Sequence, residues 1–598
     1  MKTTIEPTVP AQPQFRVTKQ LLFTRYFPLI LISAMCGFFV YFPVTDSDIW
    51  WHLASAREMI AQKSFLTKDP FSFTITSPHW INLHWLFQLM CYGVFTVAGA
   101  KGLILLKCSF ISIICILSTQ FKQKQRFFLL PPLLCAILFF ESRYLILIRP
   151  VLITLLCMTI FIILFEKYRS TGNKKYLLWL FPVQIIWTNS QGLFAISIGI
   201  ATSYLIESVV SYFSVKRQQR LQSIPNAPQP LVLLLITIAL AAVTVVNPYG
   251  IKSFLYPLKL FLRIIPSAHN IYSINISENI PFFEYLKSNS RLGYSTLIAT
   301  SITFFSFALN AKNLRIAHVL QTLLFAALAF MAERNVLLYF LIVVSVISNN
   351  VASYLQNQFQ EKALPAKIAR YKSAFILIFI FIFSFHIFTL SREISIYPSN
   401  SSISPFRFPD KAVDYIKQHN LTGNIFNDIR YGGYLMWRIP GKQVFIDGRL
   451  IIRTPQFFAE FLSIYDHPEL FSGVAEKFRI TTVLLPSAIF YRSIKLARWL
   501  YNSPEWDLAF TDGSSVLFTK RGTDNNPPVN LQSQDAVNML LDLLHNRWHK
   551  DKAILTEARY HVTNLIKFLV KDNDSTALSY YQHTVSSPLN NEKSVFCK

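Results

Sequence analysis

Long apolar runs separated by polar connectors dominate the first two thirds of the chain, at 27–44, 86–119, 127–141, 150–165, 176–190, 192–213, 229–247, 293–310, 316–332, 335–350 and 373–390. Most are roughly 15 to 22 residues long, the length a helix needs to cross hydrocarbon, so the pattern predicts a polytopic α-helical membrane protein with about eleven transmembrane helices. The run 86–119 is longer and carries Gly99, Lys101 and Gly102 at its middle. It must make an odd number of crossings for the later loops to fall on consistent sides. The first run follows Lys2, Arg16, Lys19 and Arg25 and has no small-residue cleavage site, so it reads as an uncleaved first helix.

After Leu390 the hydropathy falls and shorter periods take over. Asn424–Asn427, Gln443–Ile446 and Thr481–Leu485 read as strands, with a helical Gly433–Ile439 between the first two. Trp506–Phe510 and Ser515–Thr519, joined through Asp512 and Gly513, read as a hairpin. Two amphipathic helical patterns fill 533–571. The predicted organisation is a cytoplasmic tail 1–26, a transmembrane domain 27–390 with an outer loop 45–85, and an extracytoplasmic α/β domain 391–522. A linker, a helical extension 533–571 and a polar tail 572–598 follow.

Charge sets the orientation. Lysine and arginine gather in alternate connectors, at Lys122–Arg126, Lys167–Lys175, Lys216–Arg220, Lys312–Arg315 and Lys362–Lys372. The positive-inside rule makes these cytoplasmic, with the N-terminus in and everything after Leu390 outside. A basic balance such as the net charge of +25 is also what cytoplasmic connectors of this kind produce, and no basic run is interleaved with aromatics as in a nucleic-acid-binding face. With 52% hydrophobic residues, 53 Phe and 17 Gly, bilayer burial is the reading that composition favours. Cys36, Cys91, Cys108, Cys115, Cys135 and Cys157 lie in apolar runs and Cys597 near the end, which gives no disulfide framework and no CxxC metal site.

The outer connectors hold the residues with chemistry in them. Thr45–Leu53, TDSDIWWHL, places Asp46 and Asp48 beside two tryptophans and His52 at the outer interface. Carboxylates there can serve as a general base or ligate a cation; equally, Asp46 can cap the next helix while Trp50 and Trp51 anchor in the headgroup belt. The loop goes on through Asp69, His79, Trp80 and His84, more chemistry than a plain connector needs. Other outer connectors bring Arg143 and Arg149, Asn189 and Gln191, Asn247, and Glu333 with Arg334 and Asn335. Ionisable groups at bilayer depth are costly and tend to mark a pathway or site. Arg149 and Arg334 suit a phosphorylated lipid headgroup, or else they snorkel or pair with Glu141 or Glu333. In the outer domain, Tyr431–Tyr434 and Phe445–Arg449 are best read as turn chemistry. There is no P-loop, G-x-S-x-G, H-E-x-x-H or dinucleotide fingerprint, and no internal repeat of the kind many transporters show.

The blocks DSDIWWHL, DPFSFT, HWLFQL, IRP, WTNSQG, NPYG, ERN, YGGYLMWRIP and FIDGR, in that order from Thr45 to Arg449, resemble a group of bacterial membrane proteins related to the GT-C superfamily of glycosyltransferases. The chain departs from that pattern where Asn189, Ser190 and Gln191 replace an Asn-His block and where Glu278 and Asn279 replace Glu-Trp. The resemblance implies an inverting glycosyltransferase of the bacterial inner membrane that takes sugar from a polyprenyl-phosphate donor to an envelope glycan, lipid or protein on the periplasmic side. It implies Asp46 or Asp48 as catalytic base, and His52, Arg149, Asn189, Asn247 and Arg334 as groups that bind substrate or lipid phosphate. No cofactor is implied; a divalent cation is compatible with such sites without being demanded. The alternatives are a non-catalytic GT-C-like assembly protein and a transporter of lipid-linked glycans.

Overall fold

The computed structural model describes residues 19–75, 79–121, 128–217, 229–264, 270–358, 384, 388, 402–487, 491–523, 527–548 and 552–570. The predicted run 373–390, apart from two isolated positions, and the tail 572–598 lie outside the described residues.

The membrane part is built from α1 (Lys19–Phe39), α2 (Asp48–Gln62), α3 (Trp85–Ser118), α4 (Leu130–Glu141), α5 (Val151–Thr171), α6 (Lys175–Leu178), α7 (Leu180–Thr188), α8 (Ile196–Arg217), α9 (Pro230–Val243), α10 (Ile251–Ile264), α11 (Ile271–Asn275), α12 (Phe282–Ser288), α13 (Ser290–Leu309), α14 (Ile316–Met331) and α15 (Val336–Gln358). Among the described residues five stretches are long and apolar enough to cross a membrane: Trp85–Phe121, Val151–Thr171, Gly192–Ser214, Ser290–Leu309 and Glu333–Asn357. Tyr26–Phe39, Leu130–Glu141, Pro230–Val243 and Ile316–Met331 are apolar but shorter. The chain is an integral membrane protein, and the expected count of eleven spans is not reproduced among the described residues. The run 176–190 accounts for part of the difference, since it breaks at Trp179 into the short α6 and the nine-residue α7. α3 continues through 34 residues, and its backbone leaves helical geometry at Gly99 (φ 59°). At 1.5 Å per residue it is about 50 Å long, more than one hydrocarbon thickness, and the kink redirects its course.

At the end of the bundle that carries the basic connectors, Arg315 bridges Glu166 of α5 (2.7 Å) and Glu207 of α8 (2.9 Å), tying α14 to both. Each carboxylate is buried or nearly so, and such pairing is what makes a charge tolerable there.

The outer part is a four-stranded sheet in the order β1-β2-β4-β3, with β1 Asn424–Asn427, β2 Ile480–Pro486, β3 Trp506–Thr511 and β4 Ser515–Lys520. β1 and β2 are parallel, so the chain needs a long crossover between them. That crossover contains the helices Ile429–Arg438, Pro455–Asp466 and Phe471–Lys477. β2–β4 and β3–β4 are antiparallel, with Val483 opposite Phe518 and Leu508 opposite Phe518. The expected strand 443–446 shrinks to single bridges of Val444 with Ile425 and Ser72. The Asn427 side chain accepts from Phe445 N (2.9 Å) and donates to Ile446 O (2.7 Å), replacing ladder bonds there.

Two hydrophobic cores meet at the sheet. One runs from the membrane bundle into the outer part through Phe408, Val413, Tyr434 and Leu435. The other packs Phe426, Phe445, Phe461 and Trp506 against Leu540, Leu544, Val562 and Leu565 of the terminal helices Gln534–Trp548 and Lys552–Val570. The expected linker 521–532 is part of this packing at its far end, where Leu531 is buried and Val529 N donates to Leu508 O at 2.7 Å.

Candidate functional site

A chamber of about 2430 Å³ lies between the membrane bundle and the outer sheet domain. The helix α2 starts at its edge because the apolar side of DIWWHL packs inward: Trp50 contacts Phe408 and Tyr434 edge-to-face, at ring separations of 5.4 and 5.0 Å. Asp46 precedes the helix, and its Oδ1 accepts from Asp48 N at 3.2 Å. This bond ties the Asp46 carboxylate to the first turn of α2.

Arg149 closes this corner. Its Nε donates to Asp46 Oδ2 at 2.7 Å and its Nη2 to Asp46 Oδ1 at 2.8 Å. Nη2 also lies 3.2 Å from Asp48 Oδ2, and Nη1 pairs with Glu278. One guanidinium thus gathers three carboxylates from two separate outer loops. The Asp46 side chain is 4% exposed and spent on this clasp, whereas that of Asp48 is 25% exposed, towards the chamber. Burial pushes the Asp48 carboxyl up to about 7; Arg149 opposes this, and repulsion from Asp46 and Glu278 reinforces it. The accessible quarter of Asp48 opens onto the chamber.

Arg334, in the turn Glu333–Asn335, also lines the chamber. Its exposed surface faces that interior, Glu278 attracts it at longer range, and no salt bridge to it forms among the described residues. Among the described residues neither Arg149 nor Arg334 pairs with Glu141 or Glu333: Glu141 pairs with Arg291 at 2.8 Å, and Glu333 accepts from Asn289 at 3.0 Å. His52 lines the same chamber but is 2% exposed, with its ring on Trp51 and edge-on to Phe87. Burial, with His84, Arg149 and Arg449 nearby, holds it well below the usual histidine range, so it is a neutral imidazole at pH 7.

Asn189 and Asn247 are not brought to this place. Asn189 accepts from Trp85 Nε1 (2.9 Å) and donates to Ile185 O and Val246 O (2.8 and 2.9 Å). Asn247 accepts from Tyr249 N (2.8 Å) and donates to Thr244 O (2.8 Å), closing the Asn-Pro-Tyr-Gly turn. Both amides are used up in holding loops.

Two groups of residues escaped the sequence reading. Glu278 was visible only as half of an altered Glu-Trp block. The outer-domain motifs, read as turn chemistry, touch the site directly. A methyl group on Gly448 would collide with Asp48 Oδ1, and one on Gly433 would come within 3.0 Å of Ser47 O and 3.1 Å of Trp51 N. At Gly448 the clash falls on the carboxylate side chain, and at Gly433 on the backbone at the start of α2. Arg449 fixes the turn: it bonds Asp69 (2.7 Å) and Asp447 (2.7 Å) and stacks over Trp80 at 4.7 Å. Despite its burial, Asp447 is held below the usual carboxylate range by Arg449.

No family model and no curated protein matches the chain. Solved structures do. An Archaeoglobus fulgidus oligosaccharyltransferase in the apo form superposes with a TM-score of 0.50 at 14% identity, covering 80% of this chain and 72% of that one. The archaeal oligosaccharyltransferase AglB from Archaeoglobus fulgidus, in complex with an inhibitory peptide and a dolichol-phosphate, gives 0.53 at 11% identity over 94% and 86%. The form tethered to an acceptor peptide containing the NVT sequon gives 0.51 at 13% over 80% and 71%. The chain has a GT-C-like fold, a helical membrane domain followed by a C-terminal domain outside it. At these identities the likeness concerns fold alone.

Proposed function

We propose that this protein transfers a sugar from a polyprenyl-phosphate-linked donor to an envelope acceptor at the extracytoplasmic face of the bacterial inner membrane, with its N-terminus in the cytoplasm. The observation that carries this reading is the division of labour between the two aspartates: Asp46 is locked to Arg149, and Asp48 faces the chamber with a carboxyl poised near pH 7. A base tuned to the working pH is what proton abstraction from a hydroxyl requires.

In this mechanism Asp48 takes the acceptor hydroxyl proton as the oxygen attacks the anomeric carbon. The bond from that carbon to the phosphate oxygen breaks on the opposite face, its electron pair leaves with the lipid phosphate, and configuration inverts. Arg334, which has guanidinium donors to spare, meets the charge that develops on the phosphate. Arg149, its donors shared among three carboxylates, orders the base rather than binding the leaving group. The activation is already in the sugar–phosphate bond, so no nucleotide is consumed. A divalent cation is not written into this scheme, because Arg149 already supplies the charge that the three carboxylates share.

Neutral His52 is suited to donate one hydrogen bond rather than to balance charge. Asn189 and Asn247 contribute by keeping the outer loops in place. The fold of membrane oligosaccharyltransferases supports this reading over a pump or a soluble enzyme. Mass spectrometry of envelope glycans in a deletion strain tests it: loss of one defined sugar, restored by the wild-type gene, is the expected result. An unchanged glycan profile would turn the reading towards an assembly protein or a transporter.

A further inference from the structure

Near Asp48 the chamber wall carries an imidazole that has no part in the proton transfer. His84, the last residue before α3, lines the chamber with its ring 6.2 Å from that of Trp51. Trp51 in turn flanks the base: a methyl group on Gly448 would collide with Asp48 Oδ1 and lie 3.5 Å from Trp51 Nε1. One indole thus stands between His84 and Asp48. The position of His84 is set by a clasp on the turn at 189–190. Trp85 Nε1 donates to Asn189 Oδ1 at 2.9 Å, Leu86 N donates to Asn189 O at 3.1 Å, and His84 Nδ1 meets Ser190 O at 3.3 Å.

The clasp also fixes the tautomer. A carbonyl only accepts, so Nδ1 carries the proton and donates to Ser190 O. Burial, opposed by that bond, brings His84 down to about 4, which leaves a neutral ring at pH 7 with its lone pair on Nε2. Among the described residues nothing donates to Nε2, and it is not one of the sealed nitrogens of this corner, as the indole nitrogens of Trp50 and Trp51 are. His52, edge-on to His84 at 5.7 Å, is arranged the other way: its Nδ1 accepts from Gln88 Nε2 at 3.4 Å, and its ring is buried. Of the two imidazoles, His84 is the one with an open acceptor.

We infer that His84 Nε2 accepts a hydrogen bond from a saccharide hydroxyl at the reaction centre, which makes His84 a specificity-determining residue of the site. This rests on the transferase reading above and adds to it how the sugar is recognised. A hydroxyl that leaves water for the chamber needs an acceptor for its proton, and a site built around such a bond rejects a sugar that lacks the hydroxyl. The carboxylates of this corner are not available for it: Asp46 and Glu278 are held by Arg149, and Asp48 is the base. A further carboxylate would add to the repulsion that Asp46 and Glu278 already exert on Asp48, whereas a neutral imidazole accepts without adding charge.

Two amide variants separate this role from that of the clasp. His84→Gln places an amide oxygen where Nε2 stood and gives up the bond to Ser190; His84→Asn keeps an N–H for Ser190 O and has no acceptor at the Nε2 position. The test is complementation of the deletion strain with each, with the missing sugar measured by mass spectrometry per unit of protein in the membrane. Glutamine should restore it to within about threefold of wild type, and asparagine should fall short about tenfold or more. Melting temperature in detergent should run the other way, asparagine above glutamine. Equal restoration by the two variants, or better restoration by asparagine, overturns the inference and leaves the transferase reading standing. A deletion that removes no sugar ends both. The residual product of the asparagine variant tells which saccharide carries the hydroxyl: a deoxy or epimeric sugar in the usual place assigns it to the transferred sugar, and the usual sugar at another linkage position assigns it to the acceptor. A second measurement does not depend on transfer. In ¹⁵N-histidine spectra of the purified protein, the His84 signals, identified by their loss in His84→Asn, should show a protonated Nδ1 and a bare Nε2 at pH 7. A protonated Nε2 overturns the inference.

Discussion

Arg149 holds Asp46 by two bonds, Nε to Oδ2 and Nη2 to Oδ1 at 2.7 and 2.8 Å, and the same guanidinium reaches Asp48 and Glu278. Removing the cation leaves three carboxylates facing one another. Breaking a mostly buried pair from one side costs about 3 kcal/mol or more. Arg149→Gln should therefore lower the unfolding temperature in detergent and reduce membrane abundance. Asp46→Asn added to it should recover part of the loss, a coupling that a double-mutant cycle measures.

Because burial lifts the Asp48 carboxyl from 3.8 to about 7, its charged form is the costly one in the folded protein. The stability that follows from this shift is present below about pH 4 and is lost as pH rises towards 7. Asp48→Asn should raise the melting temperature at pH 8 and leave it nearly unchanged at pH 4. Activity should run the other way, rising with pH through a midpoint near 7 as the base loses its proton.

Gly448 and Gly433 leave no room for a side chain against Asp48 and the start of α2. Overpacking of this kind costs about 1 to 3 kcal/mol. Gly448→Ala should impair transfer more than it impairs folding, since the atom it displaces belongs to the base. Gly433→Ala presses on backbone and should register mainly as lower thermal stability.

Asn189→Ala and Asn247→Ala should each cost about 1 to 3 kcal/mol, because each leaves buried backbone groups without partners. Measured per folded molecule, phosphate binding should be unchanged in both, in contrast to Arg334→Gln.

Much of this arrangement is legible in the chain. Alternation and the Asp512–Gly513 turn mark the β3–β4 hairpin, and period 3.6 marks the two terminal helices, because both patterns are local. Asp46, Asp48, Arg149 and Arg334 stand out because a charge at bilayer depth is costly enough to need a reason. What local pattern does not carry is partnership. Asn189 and Asn247 look in sequence like site amides, and only their bonds show them closing loops. Glu278 comes from a distant loop, and nothing near it in sequence names Arg149 as its partner. The Gly-Gly and Asp-Gly-Arg blocks read as turns because they are turns; that these turns face α2 depends on how the two cores join.

The most direct test of the central claim is complementation of the deletion strain with Asp48→Asn, with membrane abundance followed by immunoblot and envelope glycans by mass spectrometry. Asp48 as the catalytic base predicts normal abundance and no restoration of the missing sugar. Restoration of the wild-type glycan profile by Asp48→Asn would contradict it.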